Sequence, residues 1–313
     1  MRIAIPDDYQ DVVHRLKCYD LLQGHQVIRY TQPARNLDEL AERLKGAEVI
    51  VAIRERVAFP RQLLERLVPE LKLISLVGRY SKVIDFEACK ALGIQVATGS
   101  SASPIAPAEL TIALILAARR NVVIEAERMR RGALPVTMSH RLRGGTLGIY
   151  GLGTIGALVA PIGPALGMRV LVWGREGSLA AARKAGYDIA TGKEQLFAES
   201  DVLSLHLRLN AETKGTVTAA DLARMKPTAL LVNTARAELI QPGALVEALK
   251  RGRPGYAALD VFEEEPVAPS HPLLNLPNVL ATPHAGWAEF ETFETYFGEA
   301  FENVVRYAKE KSR

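Results

Sequence analysis

Three polar residues in the second half of the chain each follow a short apolar run of the kind that forms β-strands. Arg236 lies in VNTARAEL, Glu265 in LDVFEEEP and His284 in TPHAGW. Ligands of an open α/β sheet bind beyond the carboxyl ends of its strands, so these side chains are candidates for one site. A guanidinium can bind a carboxylate through two hydrogen bonds, an imidazolium can donate a proton, and a carboxylate can orient the imidazole. Together they suit the reduction of a 2-keto acid by hydride transfer.

Each of these residues also has a simpler interpretation when it is taken alone. An arginine after a strand often forms a surface ion pair, and the acidic run 263–265 could be a solvated loop. His284 could merely cap the end of a strand. The chemical interpretation therefore depends on what else the chain supplies.

A glycine-rich turn supplies the second requirement, a place for a dinucleotide. In TLGIYGLGTIGALVA, an apolar strand precedes Gly151, Gly153 and Gly156 in GxGxxG spacing, and a helix follows. The first glycine permits the tight turn, the second lets a pyrophosphate approach the backbone, and the third allows close packing of helix on strand. Backbone N–H groups at the helix start, those of Leu152, Thr154 and Ile155 among them, would hold the anion.

Two prolines interrupt the helix that should follow this turn. Pro161 and Pro164 each remove a backbone donor, at a cost of about 3 kcal/mol inside a helix. We expect the helix to kink or end early there. The glycine turn itself precedes both prolines and should be unaffected.

The end of the next strand, VLVWGREG, indicates which nicotinamide cofactor is bound. An NAD site usually has Asp or Glu about 20 residues beyond the first glycine, where it binds the ribose hydroxyls. Trp173, Gly174 and Arg175 stand here instead, and the arginine suits a 2′-phosphate. This favours NADP over NAD. In the alternative, Arg175 only stacks on the adenine and Glu176 supplies the missing carboxylate.

The elements that position these residues follow an α/β rhythm in two sections. Strand-like runs IAIP, QVIRY, EVIVAI, LKLISLVG and GIQVAT alternate with helical segments, and a Ser/Pro loop near residue 100 marks a junction. A second series follows, TLGIYG, MRVLVW, YDIA, DVLSLHL, ALLVNTA, YAALDVF and NVLATP, and predicts a doubly wound parallel sheet. The last segment predicts an amphipathic helix, with an apolar stripe through Phe290, Phe293, Phe297, Phe301, Val304 and Ala308.

Composition narrows the class of protein. The 313 residues, 48% of them hydrophobic, are enough for two packed domains, and Cys18 and Cys89 provide neither a disulfide framework nor a metal-ligand cluster. We therefore expect a cytoplasmic protein without a metal or an export signal. The uncharged stretch 144–168 contains too many glycines and prolines for a membrane helix. The net charge of +4 is mild and its Lys and Arg residues are scattered among acidic ones, which argues against a nucleic-acid partner.

With these features together, the chain resembles the D-isomer-specific 2-hydroxyacid dehydrogenases along nearly its whole length. The motifs that carry the resemblance are LKLISLVGRYSKVID, ACKALGIQV, PAELTIALILAARR, LRGGTLGIYGLGTIG, LHLRLNAETKG, LVNTARAELI, ALDVFEEEP, HPLLNLPNV and TPHAGW. The resemblance implies that Arg236 binds the substrate carboxylate, that Glu265 orients the imidazole, and that His284 is the acid/base. Arg208 and Pro107 depart from the family pattern beside the cofactor.

The resemblance also implies further site residues. Asp260 would meet the nicotinamide carboxamide. His271 in SHPLL also matches a family motif, but we interpret it as structural. The backbone of Val77, Gly78, Arg79 and Tyr80 would hold the substrate carboxylate. Positions that match cofactor-facing ones are His206, Thr213, Thr234 and Gly286.

The family architecture implies a flavodoxin-like substrate domain, residues 1–99 with 287–313, and a Rossmann domain, residues 100–286, with the active site in the cleft between them. Family members are typically homodimers, so we expect a homodimer.

The expected activity is reduction of a small 2-keto acid such as glyoxylate or hydroxypyruvate. Arg54 and Arg56 in VAIRERV resemble a basic pair that faces substrate in several members, so phosphoglycerate is an alternative substrate. Alternatively, the two arginines only form surface ion pairs. A small oxyanion substrate and an NAD(H)-sensing interaction protein are further alternatives.

Overall fold

The computed structural model describes residues 1–311 and divides into two compact units. One contains Met1–Ser103 and the chain from Ala288 onward, and the other is Pro104–Trp287. The strands are β1 Arg2–Ile5, β2 Gln26–Arg29, β3 Val49–Ile53, β4 Leu73–Val77, β5 Gln95–Thr98, β6 Thr146–Tyr150, β7 Arg169–Trp173, β8 Asp188–Ile189, β9 Val202–Leu205, β10 Leu230–Asn233, β11 Tyr256–Leu259 and β12 Val279–Ala281. The α-helices are α1 Leu37–Leu44, α2 Arg61–Leu67, α3 Phe86–Ala91, α4 Ile105–Arg119, α5 Val122–Arg130, α6 Gly156–Val159, α7 Ile162–Ala165, α8 Glu176–Ala185, α9 Lys193–Glu199, α10 Ala219–Arg224, α11 Ala244–Lys250 and α12 Phe290–Lys311.

The first unit is built on a parallel sheet in the order β2-β1-β3-β4-β5. The central strands β3 and β4 are buried along their whole length, as expected for parallel strands covered on both faces. This strand order is that of flavodoxin-like folds. The five strands predicted for this part of the chain are confirmed.

Helix α12 packs on this sheet through an apolar stripe. Phe293, Phe297, Phe301 and Val304 recur at three- and four-residue intervals and are all buried. The hydroxyl of Ser75 in β4 donates to the carbonyl of Ala300 at 2.8 Å, which fixes the helix to the sheet.

One residue was wrongly predicted to belong to that stripe. Phe290 begins α12, and 51% of its surface is exposed. The guanidinium of Arg15 lies 5.3 Å from its ring centroid. The first turn of the helix therefore makes a cation–π contact near the surface instead of burying its ring in the core.

The second unit is built on a parallel sheet in the order β12-β11-β10-β9-β6-β7-β8. Numbered from β6, its first six strands follow the order 3-2-1-4-5-6 of the Rossmann fold, and β12 extends the sheet. All seven predicted strands are present. The order changes direction between β6 and β9, which places the ligand-binding crevice of this unit at their carboxyl ends.

The helix after the glycine turn ends early, as its prolines predict. Helix α6 stops at Val159, and a separate short helix, α7, starts at Ile162. Because Pro161 and Pro164 have no N–H to donate, one continuous ladder of hydrogen bonds cannot run through this segment.

The boundaries between the units lie slightly after the expected positions, 99–100 and 286–287. Ser100 and Ser101 donate backbone and hydroxyl hydrogens to the Glu299 carboxylate, and the N–H of Ser103 donates to the Tyr296 hydroxyl. These bonds attach the segment after β5 to α12 and so to the first unit.

Among the described residues, no helix combines the length and apolar character needed to cross a bilayer.

Candidate active site

The centre of the candidate site is a carboxylate–imidazole pair. Glu265 follows β11 and His284 follows β12, and Glu265 Oε2 lies 2.6 Å from His284 Nδ1. The other carboxylate oxygen accepts the N–H of Phe262 at 2.9 Å, which fixes the orientation of Glu265. The side chains of His284 and Glu265 are 28% and 34% exposed. With Nδ1 engaged, Nε2 is the atom of the ring that remains for proton exchange.

Glu265 stays ionised at neutral pH. Burial alone would raise the pKa of its carboxyl group, but the hydrogen bonds from His284 and Phe262 and the charge of Arg236 lower the pKa overall. Arg236 follows β10, the strand beside β11, and its charge acts on Glu265. The three predicted catalytic residues thus follow neighbouring strands of one sheet in the second unit.

The turn that carries Arg236 is shaped by a residue that the sequence pattern did not single out. Asn233, buried at the end of β10, accepts the N–H of Ala235 at 3.1 Å and donates to the carbonyl of Arg236 at 2.8 Å. The Arg236 guanidinium donates to the carbonyl of Ala235 at 2.6 Å. An amide that bridges donor and acceptor two and three residues further on is typical of an Asx turn.

Asp260 holds the loop that carries His284. Its buried carboxylate accepts the Thr282 hydroxyl at 2.5 Å, the Ala285 N–H at 2.8 Å and the Gly286 N–H at 2.9 Å. Burial raises the pKa of Asp260, and these hydrogen bonds and the charge of His284 partly offset that rise. The role expected for Asp260, contact with the cofactor carboxamide, is thus accompanied by a structural role that was missed.

The backbone of His284 has a positive φ of 52°. Only a few per cent of residues other than glycine adopt this left-handed conformation, histidine among the more frequent, and it costs about 1–3 kcal/mol. The bonds to Asp260 on both sides of His284 hold the loop in this shape.

The glycine turn has the spacing that a pyrophosphate site requires. Gly151 has a φ of 96°, and a Cβ on Gly156 would lie 2.5 Å from the Gly151 carbonyl oxygen. A Cβ on Gly153, by contrast, would meet no atom within 4 Å. The first and third glycines are therefore required by the fold, and the second faces open space.

The N–H groups of this turn differ in their availability. Those of Gly153, Thr154 and Ile155 donate to no acceptor within residues 1–311, and so can hold an anion. The N–H of Leu152 donates to the Ser178 hydroxyl at 3.1 Å. The Leu152 N–H therefore already has an acceptor in α8, and the assignment of Leu152 to the cofactor site stays a prediction.

An exposed cation, Arg175, lies just after the end of β7. Trp173 is half-buried, and a Cβ on Gly174 would lie 2.9 Å from the Ser178 hydroxyl, so the chain needs glycine there. The side chain of Arg175 is 69% exposed, with Nη1 3.9 Å from Glu212 Oε2. Glu176 instead accepts from Arg183 at 2.7 Å. Glu176, the alternative ribose ligand, thus forms an exposed ion pair within α8, and that alternative stays open.

His206 follows β9 and is a neutral imidazole at physiological pH. Burial lowers its pKa to about 4, and its Nε2 lies 2.9 Å from the hydroxyl of Ser204. The carbonyl of His206 also lies beside Gly151, where a Cβ would approach it to 3.1 Å. His206 therefore packs against the glycine turn.

Two predicted threonines use their hydroxyls within the protein. Thr213 is buried and donates to the carbonyl of Arg208 at 2.6 Å, which closes the loop after β9. Thr234 Oγ1 lies 2.7 Å from the hydroxyl of Thr111 in α4, which itself donates to Pro107. Thr111 was missed because its partner is more than a hundred residues away in the sequence.

The substrate residues predicted in the first unit lie at the carboxyl ends of β3 and β4. Val77 is buried, and Gly78 has a φ of 127°. Arg79 and Tyr80 are exposed. Arg54 has a φ of 46°, and its Cγ is 3.9 Å from where a Cβ on Gly78 would lie.

The neighbouring arginine, Arg56, is held by the loop after β1. It donates to the carbonyl of Asp7 at 2.6 Å and to the side chain of Gln10 at 2.8 Å. Its guanidinium also lies 4.8 Å from the ring centroid of Tyr9, and burial lowers its pKa. Arg54 and Arg56 thus have different surroundings, which their spacing in the sequence does not reveal.

Comparison with known proteins identifies the family. The family model described as "D-isomer specific 2-hydroxyacid dehydrogenase, NAD binding domain" matches residues 112–286. The chain belongs to this family of dehydrogenases. It is 42% identical to a glyoxylate reductase of Aeropyrum pernix over 78% of this chain and 75% of that protein, and 34% identical to a glycerate dehydrogenase of Methylorubrum extorquens over 88% and 87%. It also resembles the crystal structure of a phosphoglycerate oxidoreductase from Vibrio cholerae, with 47% identity, a TM-score of 0.92 and coverage of 99% of each chain.

This dehydrogenase is therefore an oxidoreductase that transfers a hydride between a nicotinamide cofactor and a 2-hydroxy acid. The glycine turn fits such a cofactor, because Gly153 leaves room for a pyrophosphate and the N–H groups of Gly153, Thr154 and Ile155 have no acceptor among the described residues. His271, interpreted as structural, caps a short 3₁₀ helix by accepting the N–H of Leu273 at 3.3 Å.

One group outside these sites has the donor atoms of a metal site. Asp8, Asp11 and His14 bring their ligand atoms close together after β1. Both carboxylates, however, accept from Arg29, at 2.8 Å and 2.5 Å. The guanidinium already engages both carboxylates and offsets part of their charge, which makes the group an ion-pair network.

Proposed function

We propose that this dehydrogenase reduces short 2-keto acids such as glyoxylate or hydroxypyruvate, with NADPH preferred to NADH. The observation that carries the proposal is the Glu265–His284 pair, 2.6 Å apart, with the charge of Arg236 beside it. An acid/base held by a carboxylate next to a guanidinium is what a keto-acid reductase needs. The similarity to glyoxylate reductase supports the choice of substrate.

In this proposal, the residues of the site divide the work of carbonyl reduction. The bound nicotinamide supplies the hydride to the carbonyl carbon. Arg236 binds the substrate carboxylate, and its charge polarises the adjacent carbonyl. His284 donates the proton from Nε2 to the carbonyl oxygen, while Nδ1–H donates to Glu265. The ionised Glu265 stabilises the imidazolium and holds the ring in one orientation.

The two units have separate roles in the proposal. The first unit binds the substrate through the backbone of residues 77–80, because Gly78 lies at the carboxyl end of a central strand. The second unit binds the cofactor through the glycine turn, with Thr234 and Gly286 nearby and His206 packed behind the turn. Asp260 fixes the loop of His284 and meets the carboxamide of the nicotinamide.

The NADPH preference rests on Arg175. Its side chain is exposed at the end of β7, where the 2′ position of the adenosine ribose lies in Rossmann domains. The nearest acidic residue in the sequence, Glu176, is paired with Arg183. An exposed arginine at this position, where an NAD site usually has Asp or Glu, favours a 2′-phosphate.

Phosphoglycerate remains a second candidate substrate because of Arg54. Its positive φ of 46° is strained for an arginine, and its side chain runs beside Gly78. A cation in this position suits a substrate with a second anionic group. The similarity to the Vibrio cholerae phosphoglycerate oxidoreductase supports this alternative.

We further propose a homodimer in the cytoplasm. Helix α5 buries none of its residues, and the segment that begins with it exposes Val122, Met129, Leu134, Val136 and Met138. An apolar surface of this kind is typical of a protein–protein contact.

The proposed location in the cytoplasm rests on the cysteines. Both are free thiols, in keeping with a reducing compartment.

A substrate panel tests the proposal. We expect initial rates with glyoxylate and hydroxypyruvate to exceed those with phenylpyruvate or oxaloacetate, and rates with NADPH to exceed those with NADH. Oxidation of 3-phosphoglycerate faster than of glycerate would favour the second candidate. Binding of the cofactor without turnover of any keto acid would contradict both.

A further inference from the structure

The exposed Arg175 has an acidic neighbour from a different loop. Glu212 Oε2 lies 3.9 Å from Arg175 Nη1, and the Glu212 side chain is 79% exposed. The distance is at the long limit of an ion pair, and both groups are in contact with water. The pair can therefore separate at little cost when a stronger ligand for Arg175 arrives.

The backbone of Glu212 is nevertheless held in place. The side chain of Asn210 accepts the N–H of Glu212 at 3.0 Å and the N–H of Thr213 at 2.9 Å. The buried Thr213 hydroxyl closes the same loop on the carbonyl of Arg208. The loop after β9 thus keeps the Glu212 carboxylate beside the end of β7.

We propose that Glu212 is a specificity-determining residue for the cofactor: it competes with a 2′-phosphate for Arg175 and so limits the preference for NADPH over NADH. This inference rests on the proposed role of Arg175. A 2′-phosphate carries between one and two negative charges at neutral pH and would lie close to the Glu212 carboxylate. NADH brings no such charge to this position, so its binding is indifferent to Glu212.

The direct test is the affinity of Glu212→Gln for cofactors in the absence of substrate. The dissociation constants of NADPH, NADH and 2′,5′-ADP are measured by fluorescence or calorimetric titration. At low salt, we expect Glu212→Gln to bind NADPH and 2′,5′-ADP roughly three to tenfold more tightly than the wild type does. Its affinity for NADH should equal that of the wild type. High salt should reduce this gain, because exposed charges are screened.

Glu247→Gln is the matched control, because it removes the carboxylate of another exposed ion pair of the second unit, with Lys250. It should change no cofactor affinity. If the ratio of the NADPH and NADH dissociation constants in Glu212→Gln equals that of the wild type, the inference is overturned. So would weaker binding of NADH, since that would make Glu212 a ligand of the ribose hydroxyls.

Arg175→Ala separates this inference from the proposal on which it rests. If Arg175→Ala weakens NADPH binding but Glu212→Gln leaves it unchanged, only the role of Glu212 is wrong. If Arg175→Ala binds NADPH as the wild type does, the assignment of Arg175 fails and the inference fails with it. In the double variant Arg175→Ala/Glu212→Gln, we expect a smaller gain in NADPH affinity from Glu212→Gln, because the competition requires Arg175.

Discussion

His284 Nδ1 lies 2.6 Å from Glu265 Oε2, although 19 residues separate them in the sequence. The two loops after β11 and β12 meet because these strands are parallel neighbours in the sheet. The pairing assigns the two nitrogens of the ring different tasks. Nδ1 is held by the carboxylate, and in the proposed mechanism Nε2 donates the proton.

Glu265→Gln should leave cofactor binding intact and slow the reaction. An amide cannot stabilise the imidazolium by charge, so kcat at neutral pH should fall by roughly 10²–10⁴. The pH profile of kcat and kcat/KM measures this loss. Glu264→Gln, next to it and exposed, is the control. A profile identical to that of the wild type would show that Glu265 does not act through His284.

Gly153→Ala and Gly156→Ala should fail in different ways. Because a Cβ on Gly153 meets nothing within 4 Å, that variant should fold normally while its methyl group obstructs the pyrophosphate and weakens cofactor binding at least about tenfold. A Cβ on Gly156 would lie 2.5 Å from a backbone oxygen, so the free energy of unfolding should fall by about 1–3 kcal/mol. Urea unfolding and cofactor titration of both variants test this. Normal cofactor affinity in Gly153→Ala would place the pyrophosphate elsewhere.

Asp260→Asn should loosen the loop that carries His284. One carboxylate oxygen becomes an NH₂ group, which must face either the Thr282 hydroxyl and Ala285 N–H or the Gly286 N–H. We expect a loss of about 1–3 kcal/mol in the free energy of unfolding, together with a lower kcat. Asp188→Asn, on the exposed edge strand, should change neither. Wild-type stability and kcat in Asp260→Asn would rule out this positioning role.

His206 should make the protein less stable in mild acid. Burial lowers its pKa from 6.5 to about 4, so between these values the unfolded chain binds a proton that the folded protein does not. Stability contributed by the neutral ring is complete above pH 6.5 and is lost as the pH falls towards 4, by roughly 3 kcal/mol in total. Urea unfolding from pH 7 to 4 should show a shallower decline in His206→Gln than in the wild type. Parallel curves would mean that the ring is protonated as readily in the folded protein.

Much of this organisation could be predicted from the sequence because it depends on local patterns. Buried parallel strands are continuous apolar runs, so all twelve strands of the described residues were found, and Pro161 explained the early end of α6. The candidate catalytic residues were found because each follows a strand in a parallel sheet.

The errors and omissions concern side-chain contacts and contacts between different elements. The acceptor of the Leu152 N–H is Ser178 in α8, and Glu176 pairs with Arg183, seven residues further along the same helix. The bonds from residues 282–286 to Asp260 depend on the register of β11 and β12. Periodicity in the sequence does not indicate which hydrogen-bond partners the side chains have, because the partners depend on how the elements pack.

The central claim is tested most directly by the reduction of glyoxylate and hydroxypyruvate by wild type and His284→Ala, with the dissociation constant of NADPH measured separately. The account predicts measurable turnover by the wild type, a fall of roughly 10²–10⁴ in kcat for the variant at neutral pH, and an unchanged NADPH dissociation constant. Turnover by His284→Ala at the wild-type rate would contradict it, because the proton would then come from another group.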